Sequence, residues 1–201
     1  MAEDRRIIKT KRSLKQALCT LLAEKPFEQL TVKDICAQSS ISRITFYTHY
    51  TDKFDLLGDL FLDFSEAAIA RFQAFQAENN PKKDAYVSCR NLLDSLLDLY
   101  FDATGALSDP LTEESPHLHF ALSKCILDSA ERVMIAEKIP VNPHFGMRKT
   151  VWFFCYGLLG LINEARAEGG EMDGIREEAR GILSALMHTE LFALDQSESE
   201  S

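Results

Sequence analysis

Nowhere in these 201 residues do apolar and polar side chains alternate convincingly with a period of two, so no strand is expected. Long hydrophobic runs are missing as well. The longest near-unbroken one, Val151 to Ile162, covers 12 residues with two glycines inside it, too short to cross a bilayer. The opening MAEDRRIIKTKR leads into no uninterrupted apolar stretch and no small-residue cleavage site, so no secretory signal is expected. Five cysteines (Cys19, Cys36, Cys89, Cys125 and Cys155) are an odd number without metal-ligand spacing, each inside an apolar stretch. That argues against a disulfide framework and suits buried thiols in a reducing cytoplasm.

Catalytic and cofactor chemistry is equally thin. There is no G-x-x-x-x-G-K-[ST] and no G-x-G-x-x-G run. His117 and His119 form an isolated pair, while His144, His188 and Cys125 are scattered, so neither metal nor cofactor is expected. The acidic pairs Glu113-Glu114 and Glu177-Glu178 flank loops or sit on polar faces, with no neighbour suited to acid–base work. The sequence does not read as an enzyme.

What is present is a lopsided charge. The net charge is −9, yet residues 1–53 hold ten Lys/Arg against six Asp/Glu, a net of +4. The remaining residues carry −13. A basic end on an acidic body points to a polyanionic partner for that end alone.

Helical periodicity fills the chain, which is therefore expected to be all-α. Leu14, Ala17, Leu18, Leu21 and Leu22 make one apolar stripe. Leu57, Leu60, Phe61, Phe64, Ala68, Phe72 and Phe75 make a longer one, and Asp55, Asp59, Asp63 and Glu66 line its other side as a solvated acidic stripe. Asn79-Asn80-Pro81 ends that helix, and Asp84–Tyr100 begins another. Gly105 to Pro116 reads as a loop, Ser115/Pro116 as the cap of a helix running to about Lys138, and Pro140 and Pro143 as a further break. Phe145–Glu168 and Asp173–Leu194 complete the pattern, separated by Gly169-Gly170. Asp195–Ser201 is acidic and serine-rich, and the expected disordered tail is 196–201.

Between the first two stripes lie two short helices. Thr31 with Asp34 reads as a capping-box-like start to Thr31–Gln38, and Ser42 as the cap of Arg43–Tyr50. The tight Ser39-Ser40-Ile41 connection makes the pair a helix-turn-helix, whose later helix enters the major groove of double-stranded DNA. Ile41, Phe46 and Tyr50 face a small core, leaving Arg43, Thr45, Tyr47, Thr48 and His49 elsewhere around the helix.

"LTVKDICAQSSISRITFYTHYTDKFDLL", Leu30–Leu57, resembles the DNA-binding segment of the TetR/AcrR family of transcriptional regulators. Thr31, Ile35, Cys36, Ile41, Ser42, Thr45, Phe46, Tyr47, His49, Tyr50, Lys53 and Leu56 carry the resemblance. Ser40 stands where the family usually has glycine, and serine costs roughly 1 kcal/mol there if the turn needs a positive φ. Ile44 stands where a small residue is common, which bears on base specificity and not on the fold. Together with the side-chain chemistry, the resemblance implies that Thr31, Lys33, Tyr47, His49 and Lys53 meet phosphates and that Arg43 and Thr45 reach base edges. Ser42 and Thr48 complete the expected contact surface, and the flexible basic arm Arg5–Lys15 adds minor-groove or backbone contacts.

The resemblance further implies a DNA-binding domain over residues 1–55 and a C-terminal domain over 56–195 for homodimerisation and effector binding. Excess apolar surface on the last two helices fits a four-helix seam across a two-fold axis, with Gly157 and Gly160 allowing close contact. Tyr100, His117, Phe120, Arg148, Trp152 and Tyr156 are the candidate lining of a small-molecule pocket. The expected function is cytoplasmic transcriptional repression relieved by an effector, the alternative being a co-activator or adaptor that works through a protein partner.

Overall fold

Stripes of period 3.6, broken by caps, prolines and glycines, become helices wherever the chain is described. The computed structural model describes residues 2–107, 115–138 and 146–187. Among them are α1 (Ala2–Leu22), a 3-10 turn (Phe27–Gln29), α2 (Val32–Ser39), α3 (Arg43–Tyr47), α4 (Lys53–Asn79) and α5 (Ala85–Leu107). The helices α6 (Pro116–Ala136), α7 (Met147–Ala167) and α8 (Met172–Met187) follow, and no described residue is in a strand. The expected tail 196–201, the break at Pro140 and Pro143, His144, His188 and the final turns up to Leu194 lie outside the described residues. No described helix is long and apolar enough to cross a membrane.

The chain divides into two compact units. One takes Met1–Phe64 and Asp102–Leu122, the other Ser65–Phe101 and Ser123–Ser201. In the first, Leu14, Leu18, Phe27, Leu30, Ile35, Phe46 and Leu56 are completely or almost completely buried and hold α1, α2 and α3 around one core. The second stretch of this unit is tied in through the 3-10 turn. The Phe27 amide donates to Ser115 Oγ at 3.2 Å, and the His117 amide donates to Glu28 Oε1 at 3.2 Å.

Two expectations about charge are corrected in this unit. Arg5–Lys15 is no flexible arm but lies within α1. Nor is the acidic stripe of α4 wholly solvated, because α1 packs its ammonium groups onto it. Lys15 lies 3.2 Å from Asp59 and 2.7 Å from Asp63, and Lys11 lies 3.3 Å from Asp59. Asp59 also accepts from the buried Tyr50 hydroxyl at 2.6 Å. The pairs form because the polar side of α1 meets the acidic side of α4, which neither helix reveals alone.

The second unit holds its polar groups deeper. Asp94 on α5 is buried and accepts from Arg180 at 2.9 Å through both carboxylate oxygens, while Arg176 joins Asp94 and Asp98. This ties α8 to α5. At the turn from α4 to α5, the buried Asn80 donates to Gln76 Oε1 and Ser88 Oγ at 2.9 Å, and its Oδ1 accepts from the Asp84 amide. Such a satisfied network makes the turn specific. All five cysteines are free, with Cys36, Cys125 and Cys155 buried.

Candidate nucleic-acid interface and apolar cavity

The N-terminal interface starts from two helix caps. Thr31 Oγ1 accepts from the Asp34 amide at 3.2 Å while Asp34 accepts from the Thr31 amide at 3.0 Å, a complete capping box at the head of α2. Hydrogen bonds from Lys25 and Thr31 hold the Asp34 carboxyl down at about 2. Ser40 then takes φ 56°, ψ 30°, a left-handed residue that reverses the chain. Glycine would adopt this at no steric cost, so serine here carries the strain expected from the sequence. The Ile41 amide closes the turn on Cys36 O at 3.1 Å.

Ser42 caps α3 by accepting from the Thr45 amide at 3.1 Å, and its hydroxyl also bonds that of Thr45 at 2.8 Å. The helix ends at Tyr47, shorter than the expected Arg43–Tyr50, with Thr48 as its C-cap. The Thr48 hydroxyl donates back to Thr45 O at 2.6 Å, a local bond that competes with helix continuation. Tyr50 nevertheless reaches the core, as does Phe46, while Ile41 is half-buried.

The remaining side chains sort by what they are doing. Arg43, Tyr47 and Lys33 are exposed, and none makes a hydrogen bond or ion pair among the described residues. These are free to meet a ligand. Thr31, Ser42, Thr45 and Thr48 are committed to caps and local bonds, and His49 is half-buried. Arg5, Arg6, Lys9 and Arg12 add exposed positive charge on α1.

Lys53 is the main correction. Its ammonium donates to the carbonyls of Phe27, Glu28 and Leu30 at 2.9, 3.1 and 2.9 Å, under the Phe27 ring. All three ammonium protons are therefore used inside the fold, and burial lowers the group's pKa. Lys53 clamps the 3-10 turn, where a phosphate contact was expected from the sequence. Ile44, where a small residue was expected, is 82% exposed in the row with Tyr47 and Thr48.

The pocket residues expected from the sequence do not come together. Tyr100 is fully buried, accepting from Arg166 at 3.2 Å. His117 and Phe120 belong to the first unit, where His117 Nδ1 faces Glu28 Oε1 at 3.0 Å. Burial raises the Glu28 pKa, but the His117 hydrogen bond and others outweigh it and leave the carboxyl below its ordinary value. Arg148, Trp152 and Tyr156 do cluster, but on an exposed face of α7, with Arg148 over the indole at 5.5 Å.

The second unit instead contains a cavity of about 340 Å³ between α5, α6, α7 and α8. Leu92, Leu96, Met134, Phe154, Leu158, Leu183 and Met187 are among its walls, and none of the six expected residues is. No charged side chain lines it. Burial pushes the Cys89 and Cys155 thiols at its edge up to about 12, so they too are neutral. Trp152 and Tyr156 lie on a different face of α7 from the cavity-lining Phe154 and Leu158, because at 3.6 residues per turn positions two apart point to different sides.

Residues 16–60 match the family described as bacterial regulatory proteins, tetR family. An uncharacterized HTH-type transcriptional regulator, YxbF, of Bacillus subtilis is 44% identical over 55 residues, 27% of this chain. That match spans 14% of the relative's length. A structure from Syntrophomonas wolfei assigned to the TetR family of transcriptional regulators superposes with a TM-score of 0.62 at 15% identity, over 91% of this chain and 97% of its own. One from Rhodococcus sp., assigned likewise, gives 0.59 at 15% identity, over 89% and 99%. At such identities the likeness is one of fold.

Proposed function

We propose, from the premise that residues 16–60 make this chain a tetR-family transcriptional regulator, that it represses transcription as a homodimer on a palindromic operator. The observation that carries the reading is the outward face of α3, where Arg43 and Tyr47 project with no hydrogen bond or ion pair among the described residues. Arg43 is assigned to a base edge, its planar fork suiting guanine O6 and N7. Tyr47, Lys33 and the exposed cations of α1 are assigned to phosphates, which fix register and supply most of the affinity. Thr31 and Ser42 act chiefly by capping the helices that present these groups.

Dimerisation is assigned to α7 and α8. Phe153, Tyr156 and Ile182 are 68, 50 and 44% exposed there, more apolar surface than isolated residues in water account for. An added Cβ at Gly160 would meet nothing within 4 Å, which leaves room for a partner helix. The apolar cavity supports an uncharged effector. Such a ligand weakens operator binding only as far as it prefers the DNA-free state.

A mobility shift on mixed genomic fragments tests the reading. Selected fragments should share a palindrome, and affinity should fall steeply with salt. A chain that retains no fragment at low salt overturns it, and an adaptor acting through a protein partner would then be the better account.

A further inference from the structure

The fold uses the inward face of α3 for Phe46, but it makes no use of Ile44. That side chain is 82% exposed, the most exposed large hydrophobic residue described. A β-branched aliphatic residue lowers helix propensity slightly and here buries nothing in return, so a five-residue helix gains no stability from it. Its surroundings are polar. Arg43, Tyr47 and the C-cap Thr48 lie around it, all exposed. A protein-docking site would need a contiguous apolar patch such as the one α7 carries, and Ile44 stands alone.

The inference rests on the DNA-binding reading above, in which this face lies against base edges. The major-groove edges present hydrogen-bond donors and acceptors at every base pair, and one apolar feature, the C5 methyl of thymine. We propose that Ile44 is a specificity-determining residue that packs on a thymine methyl, so that each operator half-site carries a thymine at one fixed position. Ile44 also rejects other bases there. A cytosine amino group or guanine carbonyl covered by its side chain loses water and gains no hydrogen bond. Arg43 and Ile44 thus read adjacent features by opposite means, one by hydrogen bonds and the other by excluding water.

The test uses a duplex selected from a random pool by the wild-type chain, with each thymine replaced singly by deoxyuridine, which deletes only the methyl. At one position per half-site the replacement should weaken wild-type binding about fourfold, the worth of one buried methyl-sized group. The Ile44→Ala chain should bind the parent and that modified duplex equally, and Ile44→Val should keep part of the difference. If no thymine is sensitive, or if Ile44→Ala shows the same fourfold loss, the inference is overturned while the regulator reading stands. A wild-type chain that selects no sequence from the pool overturns both.

Discussion

In the first unit the polar groups committed to the fold sit at helix ends and edges: Thr31 and Asp34 at a cap, Lys53 on three carbonyls, Lys11 and Lys15 on Asp59. In the second, Asp94 is buried with two arginines while the aromatic residues Phe153 and Tyr156 stand in the open. The contrast follows from what each unit is proposed to face. A surface for DNA must keep cations free and hold its small helices by caps and clamps. A surface for a second copy does the reverse, offering apolar area and burying its charges within its own helices.

The largest effect expected to bear on this contrast is at the proposed seam. Gly160→Asp places a carboxylate in the open space of α7 and should give a monomer in sedimentation, with operator affinity down by ~100-fold or more as two linked half-site contacts become one. A dimeric variant would move the seam elsewhere. Leu186 is a poorer probe, since it lines the cavity and a charge there damages the unit itself.

Next in size is Asp94→Ala, which leaves Arg176 only Asp98 and Arg180 only Glu177 and should cost about 1.5–3 kcal/mol in denaturant unfolding. A loss below ~1 kcal/mol would make the buried pair no different from a surface one. Lys53→Met should cost about 1.5–3 kcal/mol by removing charged hydrogen bonds to the 3-10 turn. Operator affinity of the folded protein should stay within twofold. Unchanged stability with weakened DNA binding would return Lys53 to the phosphate contacts.

The smallest effect is one of pH. Burial pushes the Asp59 carboxyl up, but hydrogen bonds from Tyr50 and Lys15, with the Lys15 charge, outweigh it and leave the pKa below its ordinary value. A depressed carboxylate contributes stability that is full above the unfolded pKa of about 4 and is lost as pH falls through the folded value. Wild-type stability should therefore drop more steeply below pH ~4 than that of Tyr50→Phe. Parallel curves would show that the hydroxyl contributes nothing to the shift.

The sequence determined by itself whatever depends on neighbours within about one helical turn. The capping box at Thr31 and Asp34, the left-handed Ser40, the cap at Ser42 and the inward Phe46 were all legible, because each interaction closes between residues a few positions apart. The periodicity likewise announced the helices, and the local pattern Leu30–Leu57 carried the family resemblance that residues 16–60 match. Tertiary structure alone decided the partners of the long side chains and the lining of the cavity. Lys53 reaches carbonyls 23 to 26 positions away, Lys11 a carboxylate 48 away, and Arg180 a carboxylate 86 away. Two free cations and two clamps look alike in sequence, since a lysine's role depends on which helix face comes within reach of its ammonium. For the same reason Trp152 and Tyr156 of α7 suggested a pocket they do not line: periodicity places them around a helix, and only packing fixes which side of it is covered.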